Sequence, residues 1–562
     1  MSPKNGSTKE ASAETSAEAA ASLVEAVPFG LADFGLANAG QSADELASQQ
    51  EAVRQRVAKA ASEKAVPHPS VEERARKGRV ARAETPREEL AAWVSPTDRA
   101  DPVALLAGQE TSRVQELVPV RHARMAMSAF AFYRGAALLM AADLSVMPRT
   151  SLNVQLCGDA HLSNFGLFAA PDRSVIFDVN DFDETHPGPF EWDVKRLATS
   201  FVLAARDNGF PSKVGLTAAE AASSSYREAM GKFAGKGELE IWYDRIEALG
   251  LIAAVQQVSV GKGKQAAKST AKTEANIQMA VSKAQSRDAW SAISKITEVV
   301  DGHRRFRNDP PLLTRLELGS DSSALLNSLF REYRATLQDD RQELLKRYEI
   351  IDMGHKVVGV GSVGLLAFVL LLRGRDENDL LVLQVKQAQA SVLEAYTHKS
   401  VFTKHGHRVV TGQRLMQAAS DSFLGWLDGP GGRSFYVRQL RDMKWSPDPA
   451  KLKEEQLYRF ALLCGLTLAR AHARSGDSVA ISAYLGTGTS FDKAVRAFAE
   501  TYADQSEQDY AAFTAAVADG RLSAHEDTAG AEGVAAVQKA AARAVKSKTK
   551  KKTAAKRTSA LS

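Results

Sequence analysis

The sequence predicts an α+β protein of two lobes flanked by unstructured ends, and three observations carry that expectation. The chain has 562 residues, 44% of them hydrophobic and 25% charged, so its body should fold as more than one packed unit. Apolar residues recur at helical spacing over 118–144 and 457–473, whereas HKVVGVGSVGLLAFVLLLRG, RDEND and LLVLQVKQA read as strand, glycine loop, strand, turn and strand. Residues 1–65, rich in Ala, Ser, Glu and Gln, and the Lys-rich end at 516–562 hold too few large apolar residues to offset the entropy of ordering.

Order is expected from about Val71, with an extension over 66–117 and then one long buried helix over 118–144. SLNVQLCGDAHLSNFG reads as a short strand running into a polar loop, and SVIFDVNDFDE as a second strand ending in acids. From Trp192 to about Tyr348 the pattern is helical, broken by a Lys/Ala/Ser/Gly loop at 261–275 and by Asp309-Pro310-Pro311. The three-strand unit follows, FYVRQL adds another strand, and 457–473 is an amphipathic helix. The expected lobes are therefore 118–348, helical and acid-bearing, and 349–450, rich in β-structure, with helices of 451–515 packing back on the first.

Composition excludes several classes. The longest apolar run, 357–372, contains three glycines and stops at Arg373, short of the span a bilayer requires. The stretch from Met1 to Phe29 is interrupted by Glu14, Glu18 and Glu25 and lacks the apolar segment of a secretory signal. Two cysteines, Cys157 and Cys464, make neither a disulfide framework nor a Cys-based zinc site, in keeping with a cytoplasmic location. The net charge of +5 is misleading, because 533–562 carries nine Lys/Arg and no acid, which leaves −4 for the rest. Any affinity for nucleic acid should therefore reside in that tail, where lysines are interleaved with Ala, Ser and Thr but with no aromatic to stack on bases.

Chemistry concentrates in GDAHLSNFG, residues 158–166. Asp159, His161 and Asn164 follow an apolar strand, and Asp178, Asp181 and Asp183 follow at the end of the next. Carboxylates and an amide oxygen converging at two strand ends suit Mg²⁺ or Mn²⁺, with one Asp left as a base. Loop caps account for any one of these acids but poorly for the ordered set. The second constellation is Gly359-x-Gly361-x-x-Gly364, a pattern expected roughly 0.17 times by chance from 38 glycines. A dinucleotide site needs a helix after such glycines, but here a continuously apolar strand, a turn and another strand follow. That context fits a glycine hairpin covering phosphates, with Lys386 in LVLQVKQA as the lysine of the third strand. Glu394 is the candidate acid to orient Lys386. Arg134 is the candidate substrate contact, ahead of Arg121, Arg124, Arg304, Arg305 and Arg307.

GDAHLSN resembles the G-D-x-H-x-x-N catalytic loop of aminoglycoside phosphotransferases and related kinase-like enzymes, VIFD their metal-binding segment, and FEWDVKRLATS their structural Asp-Leu-Ala element. FAFYRGAA, CGDAHLSNFG, NDFDETHPGPFEWDVKRLA, VVGVGSVG, LQVKQA and YVRQLRDMK together resemble the bacterial family known as domain of unknown function 2252, over roughly 70–515. The resemblance implies a bilobal protein-kinase-like fold. Cys157 stands where the phosphotransferase loop usually has His, and the acid loop precedes the glycine loop, so the implied fold is circularly permuted.

On that reading ATP and Mg²⁺ lie between the lobes. Asn164 and Asp178 hold the metal, with Asp181 as a second candidate. Lys386 and Gly359, Gly361 and Gly364 attend the phosphates, and Asp159, with His161 beside it in the loop, activates a hydroxyl or amine of an unidentified small molecule or protein. Two other readings stay open. One is a metal-dependent phosphohydrolase with Asp159, His161, Asn164 and Asp178 as its cluster. The other is a nucleotide-binding pseudokinase tethered to nucleic acid by the tail.

Overall fold

A computed structural model of the chain describes residues 68–248 except 92, 275–283 except 276, 289–316 except 311, 320–357, 363–440 and 443–524. Gly359, Gly361, most of the 261–275 loop and the basic segment 533–562 lie outside the described residues. Val71–Ser562 forms one compact unit, to which all the elements below belong.

The first helix of the described residues is α1 (Val71–Glu84), followed by α2 (Pro102–Glu110). The apolar stretch read as one long helix is instead three: α3 (Val118–Met125), α4 (Ala129–Gly135) and α5 (Ala137–Ser145). Ser128, in extended conformation, caps α4 by accepting from the Ala131 N–H at 3.1 Å, which restarts the helix in a new direction. Arg121 fixes that reversal. It is fully buried, lies 3.2 Å from Glu110 and donates to the Gly135 carbonyl at 2.8 Å.

The acid segments form small sheets beneath these helices. Strand β1 (Asn153–Leu156) pairs with β4 (His186–Pro189), and β2 (Phe165–Ala169) with β3 (Val175–Val179) and then β5 (Ile246–Glu247), all antiparallel. The chain then enters α6 (Phe190–Asp207), in which every residue from Phe190 to Ala205 is buried, and α7 (Ser212–Phe233), followed by the short α8 (Glu238–Tyr243). These helices form the main core together with α13 (Glu454–Ala473), α14 (Ser478–Leu485) and α15 (Ser490–Ala518) from the far end of the chain. Helix α13 crosses α7 closely at Gly465, where a Cβ would sit 2.1 Å from the Ala222 carbonyl oxygen. Any larger residue there would force the two helices apart.

The second assembly is a six-stranded antiparallel sheet of order β12-β13-β11-β10-β9-β8. Its strands are β8 (Leu313–Arg315), β9 (Glu349–Lys356), β10 (Ala367–Arg373), β11 (Leu380–Ala388), β12 (Gly425–Asp428) and β13 (Ser434–Gln439). The expected strand, glycine loop, strand, turn, strand unit is therefore β9, β10 and β11. β8 joins them from within the stretch read as helical, which also holds the hairpin β6 (Thr297–Val300) and β7 (His303–Phe306).

Both faces of the sheet are covered, which is why its strands read as unbroken apolar runs. Leu381, Leu383 and Val385 pack with Phe330 and Tyr333 of α10 (Ser320–Ala335), while α11 (Asp339–Leu345) contributes Leu345. On the opposite face Val382 meets Val369, Phe306 and Ile293, the last from α9 (Ala289–Ile296). Because side chains alternate along a strand, Gln384 and Lys386 share the face of Val382. Helix α12 (His405–Met416) follows β11. No helix among the described residues is long and apolar enough to cross a membrane.

Candidate active site

The loop after β1 hangs on the first turn of α6. The Asp193 carboxylate accepts from the backbone N–H groups of Cys157 (2.8 Å) and Gly158 (3.1 Å) and lies 3.2 Å from His472 Nε2, whose Nδ1 is 2.9 Å from the Tyr226 hydroxyl. Gly158 has φ +82°, and a Cβ there would come within 2.2 Å of the Glu184 carbonyl oxygen. The glycine thus lets the loop pass against the acid-rich turn beyond β3.

Asp159 projects from this loop and remains about one-fifth exposed. Its Oδ1 accepts from Arg196 Nε at 2.6 Å, and Arg196 is itself held by the Tyr133 carbonyl (2.9 Å) and stacked 4.3 Å from the Tyr133 ring. Oδ2 is 3.6 Å from His161 Nε2, too long for a hydrogen bond, and so stays available. His161 is buried, and burial pushes its pKa down to about 4; Asp159 opposes the shift, and Arg134 and Arg196 add to it. It is therefore a neutral ring at neutral pH. Asn164 donates its side-chain N–H to the Asp159 carbonyl at 2.8 Å, which leaves Oδ1 as its acceptor.

The two acids proposed as metal ligands have different surroundings. Asp178, at the end of β3, is fully buried; Oδ1 accepts from the Val179 N–H and from Arg470 of α13, and Oδ2 from the Ala418 N–H at 2.9 Å. With three protein donors on its two oxygens and no exposed surface, Asp178 stands as the buried ion-pair partner of Arg470 and not in the open position expected of a metal ligand. Asp181 lies in the turn beyond, with a third of its side chain exposed. Burial would raise its pKa, but Lys386, Arg438 and Lys444 outweigh that and bring it to about 2, so it is a carboxylate throughout the physiological range.

Lys386 comes from β11 to the same turn, 203 residues beyond Asp183 in sequence. It is 3% exposed, pairs directly with Asp183 Oδ2 and lies 4.0 Å from Asp181 Oδ1. Burial works to lower its pKa and is overcome by Asp181 and Asp183, so the net shift is upward and the side chain stays charged. Tyr436 of β13 donates to the other oxygen of Asp183 at 2.7 Å. The turn is clamped from α12 by Arg408, which donates to the carbonyls of Asp183, Thr185 and Gln389.

Glu394 is not the partner of Lys386. Its Oε1 accepts from the Ser400 N–H at 3.0 Å, because eight residues after the lysine the chain has left the sheet and is still in the loop before α12. Sequence reasoning also missed Arg196. The available signal was a charged residue three positions after Asp193 in a helix otherwise apolar enough to be central.

Two cavities border the turn that carries Asn180, Asp181 and Asp183. The smaller, of about 490 Å³, is lined by Asp159, His161, Asn164, Asp181, Asp183 and Arg134. Leu365 and Gln387 also line it, beside Gly364, whose carbonyl accepts from the Val114 N–H at 2.8 Å. The larger, of about 970 Å³, lies beyond Asn180 and Gln384 and reaches Arg438, Leu440 and Phe168. Of the other arginines, Arg121 is committed to Glu110, and Arg305 pairs with Glu298 in the β6–β7 hairpin. Among the described residues no group of three or more His, Cys, Asp or Glu is arranged to hold a metal ion. An oxygen set of Asn164 and Asp181 suits only a hard ion that keeps waters or phosphate oxygens as further ligands.

A family model described as an uncharacterized protein conserved in bacteria (DUF2252) matches residues 113–516. No curated protein and no solved structure matches the chain.

Proposed function

We propose that this chain, which belongs to the bacterial DUF2252 family, is an ATP- and Mg²⁺-dependent phosphotransferase of permuted kinase-like design. The observation that carries the proposal is Lys386, buried on the third strand of the β9–β11 unit and ion-paired within the turn that holds Asp181. A lysine on that strand, a glycine loop between the two strands before it, and a facing loop with Asp and Asn are the parts phosphoryl transfer recruits in kinases. The return of α13 from the end of the sheet to pack on α7 supports a permuted order, since it ties the second half of the chain to the first.

On this reading the phosphates lie in the smaller cavity, against the turn of Asp181 and Asp183 whose charge Lys386 offsets from behind, and the γ-phosphate points toward Asp159. Asn164 and Asp181 would hold Mg²⁺ (or Mn²⁺), which when bound neutralises phosphate charge. Asp159 Oδ2, the oxygen left free by Arg196, takes the proton of the acceptor hydroxyl. The acceptor oxygen forms the new bond to the γ-phosphorus as the bridging bond breaks and its electron pair leaves on ADP. His161, neutral and buried, supports the loop and carries no proton. Positioning and charge neutralisation supply most of the rate.

The test is calorimetry of the full chain with ATP, with and without Mg²⁺, followed by γ-phosphate transfer to a metabolite panel. Metal-dependent binding with transfer is expected; no nucleotide binding would overturn the reading. Binding without transfer would favour a pseudokinase, the second reading, for which the observation is that Arg196 already occupies one oxygen of Asp159. The tail would then serve as its tether to nucleic acid through non-specific phosphate contacts. The phosphohydrolase cluster is disfavoured, since Asp178 is spent on Arg470.

A further inference from the structure

The cavity that Asp159 opens into has two arginines in its lining, Arg113 and Arg134. Arg113 is committed: it donates to the Val363 carbonyl at 2.6 Å and so joins the segment before α3 to the end of the glycine loop. Arg134, at the end of α4, is not. Its Nε is buried without a hydrogen-bond partner, its guanidinium rests 5.9 Å from the centre of the Phe130 ring, and among the described residues no carboxylate comes within ion-pair distance of it. Burial lowers its pKa, with Asp159 the larger and Asp181 the smaller opposing influence. Phe130 also meets the His161 ring edge-on, which sets Arg134 beside the loop that carries Asp159. A half-buried guanidinium without a counter-ion, aimed into a cavity, is a preformed fork for a carboxylate or phosphate.

We propose that the acceptor is a small molecule bearing, besides the hydroxyl that Asp159 deprotonates, a carboxylate or phosphate group held by Arg134. The proposal rests on the phosphotransferase reading for the hydroxyl, but not for the anion. The size follows from the cavity, whose 490 Å³ suits a metabolite.

The experiment uses matched probes: glycerol, glycerate and glycerol 3-phosphate, and ribose, ribonate and ribose 5-phosphate. Each is titrated by calorimetry onto the full chain alone and onto the chain saturated with Mg²⁺ and a non-hydrolysable ATP analogue. In at least one set a charged probe should bind tenfold or more tightly than its neutral counterpart, and the choice between carboxylate and phosphate follows from which member binds. Arg134→Gln should remove that preference while leaving affinity for the ATP analogue within twofold, and Arg134→Lys should recover part of it. Thermal unfolding of both variants checks the fold, and the discrimination by the unaltered protein needs no variant. Charged probes binding no better than neutral ones, or not at all, would overturn the proposal. So would an Arg134→Gln effect confined to the ATP analogue, which would give the arginine to the nucleotide. Failure of the analogue to bind, with charged probes still discriminated, would instead count against phosphotransfer.

Discussion

Asp178 and Asp181 are three residues apart and sit in two regions with opposite uses for a carboxylate. The end of β3 is closed: Arg470 from α13 and the backbone of Ala418, just past α12, converge on Asp178 and exclude solvent. The turn after it is open: Asp181 and Asp183 face a cavity, and their cation, Lys386, is brought from β11 and buried against the turn. The first carboxylate joins pieces of chain that are 292 residues apart. The second leaves oxygens toward a space that a ligand would fill. The lesson is that strand-end acids with the same spacing signature divide into structure and chemistry according to what covers them.

The largest expected effect belongs to the open region. Asp159→Asn should lower phosphoryl transfer by roughly 10²–10⁴, the range of general-base catalysis, while affinity for Mg²⁺ and ATP stays nearly unchanged. Turnover and calorimetry on the same preparation measure both. Transfer within tenfold of the unaltered protein would remove Asp159 as the base.

Next in size is the contrast between the two acids. Asp178→Ala leaves Arg470 buried and uncompensated and should cost about 3–5 kcal/mol of stability, read by denaturant unfolding. Asp181→Ala, at a partly exposed site, should change stability by less than about 1 kcal/mol yet abolish the Mg²⁺ dependence of nucleotide binding. The reverse pattern, in which Asp178→Ala folds normally but loses metal dependence, would exchange the two assignments.

A smaller effect sharpens the comparison through pH. His161 has a pKa near 4 in the folded protein against 6.5 when unfolded. Between those values the unfolded chain binds the proton and the native one does not. The stabilisation is therefore complete above pH 6.5, is lost as pH falls toward 4, and amounts to about 3 kcal/mol. His161→Gln should flatten the stability curve over that window relative to the unaltered protein. Parallel curves would mean that His161 is not held neutral.

Much of this was legible in the sequence. The strands that flank Asp159 and Asn164 and that carry Lys386 announce themselves by apolar runs, and the loops between them by Asp, Asn and Gly. The three-strand unit β9–β11 was readable for the same reason. What stayed hidden depends on partners distant in sequence. Nothing near Asp178 tells that Arg470 will cover it, and nothing near Lys386 tells that its acid lies 203 residues upstream. The break of the 118–144 stretch was hidden too, because periodicity continues through Ser128 while a buried Arg121 turns the chain.

The smallest predicted effect tests the residue for which spacing was the weakest guide. In a helix-borne lysine–glutamate pair the acid positions the lysine for the phosphates, and its loss disables the site. Here α12 contains no acid (HGHRVVTGQRLM), and the carboxylate paired with Lys386 is that of Asp183 in the turn. Glu394→Gln keeps an acceptor for the Ser400 N–H and removes only a charge outside the cavity, so it should cost no more than about 1 kcal/mol of stability and shift nucleotide affinity by less than twofold. Asp183→Asn, which takes the charge from Lys386's direct partner and keeps only a neutral acceptor for Tyr436, should shift that affinity tenfold or more. Calorimetry of the two variants side by side decides the matter. A tenfold loss in Glu394→Gln with none in Asp183→Asn would mean that Lys386 changes partner when nucleotide binds, and the closed Lys386–Asp183 pair would then belong to the resting state alone.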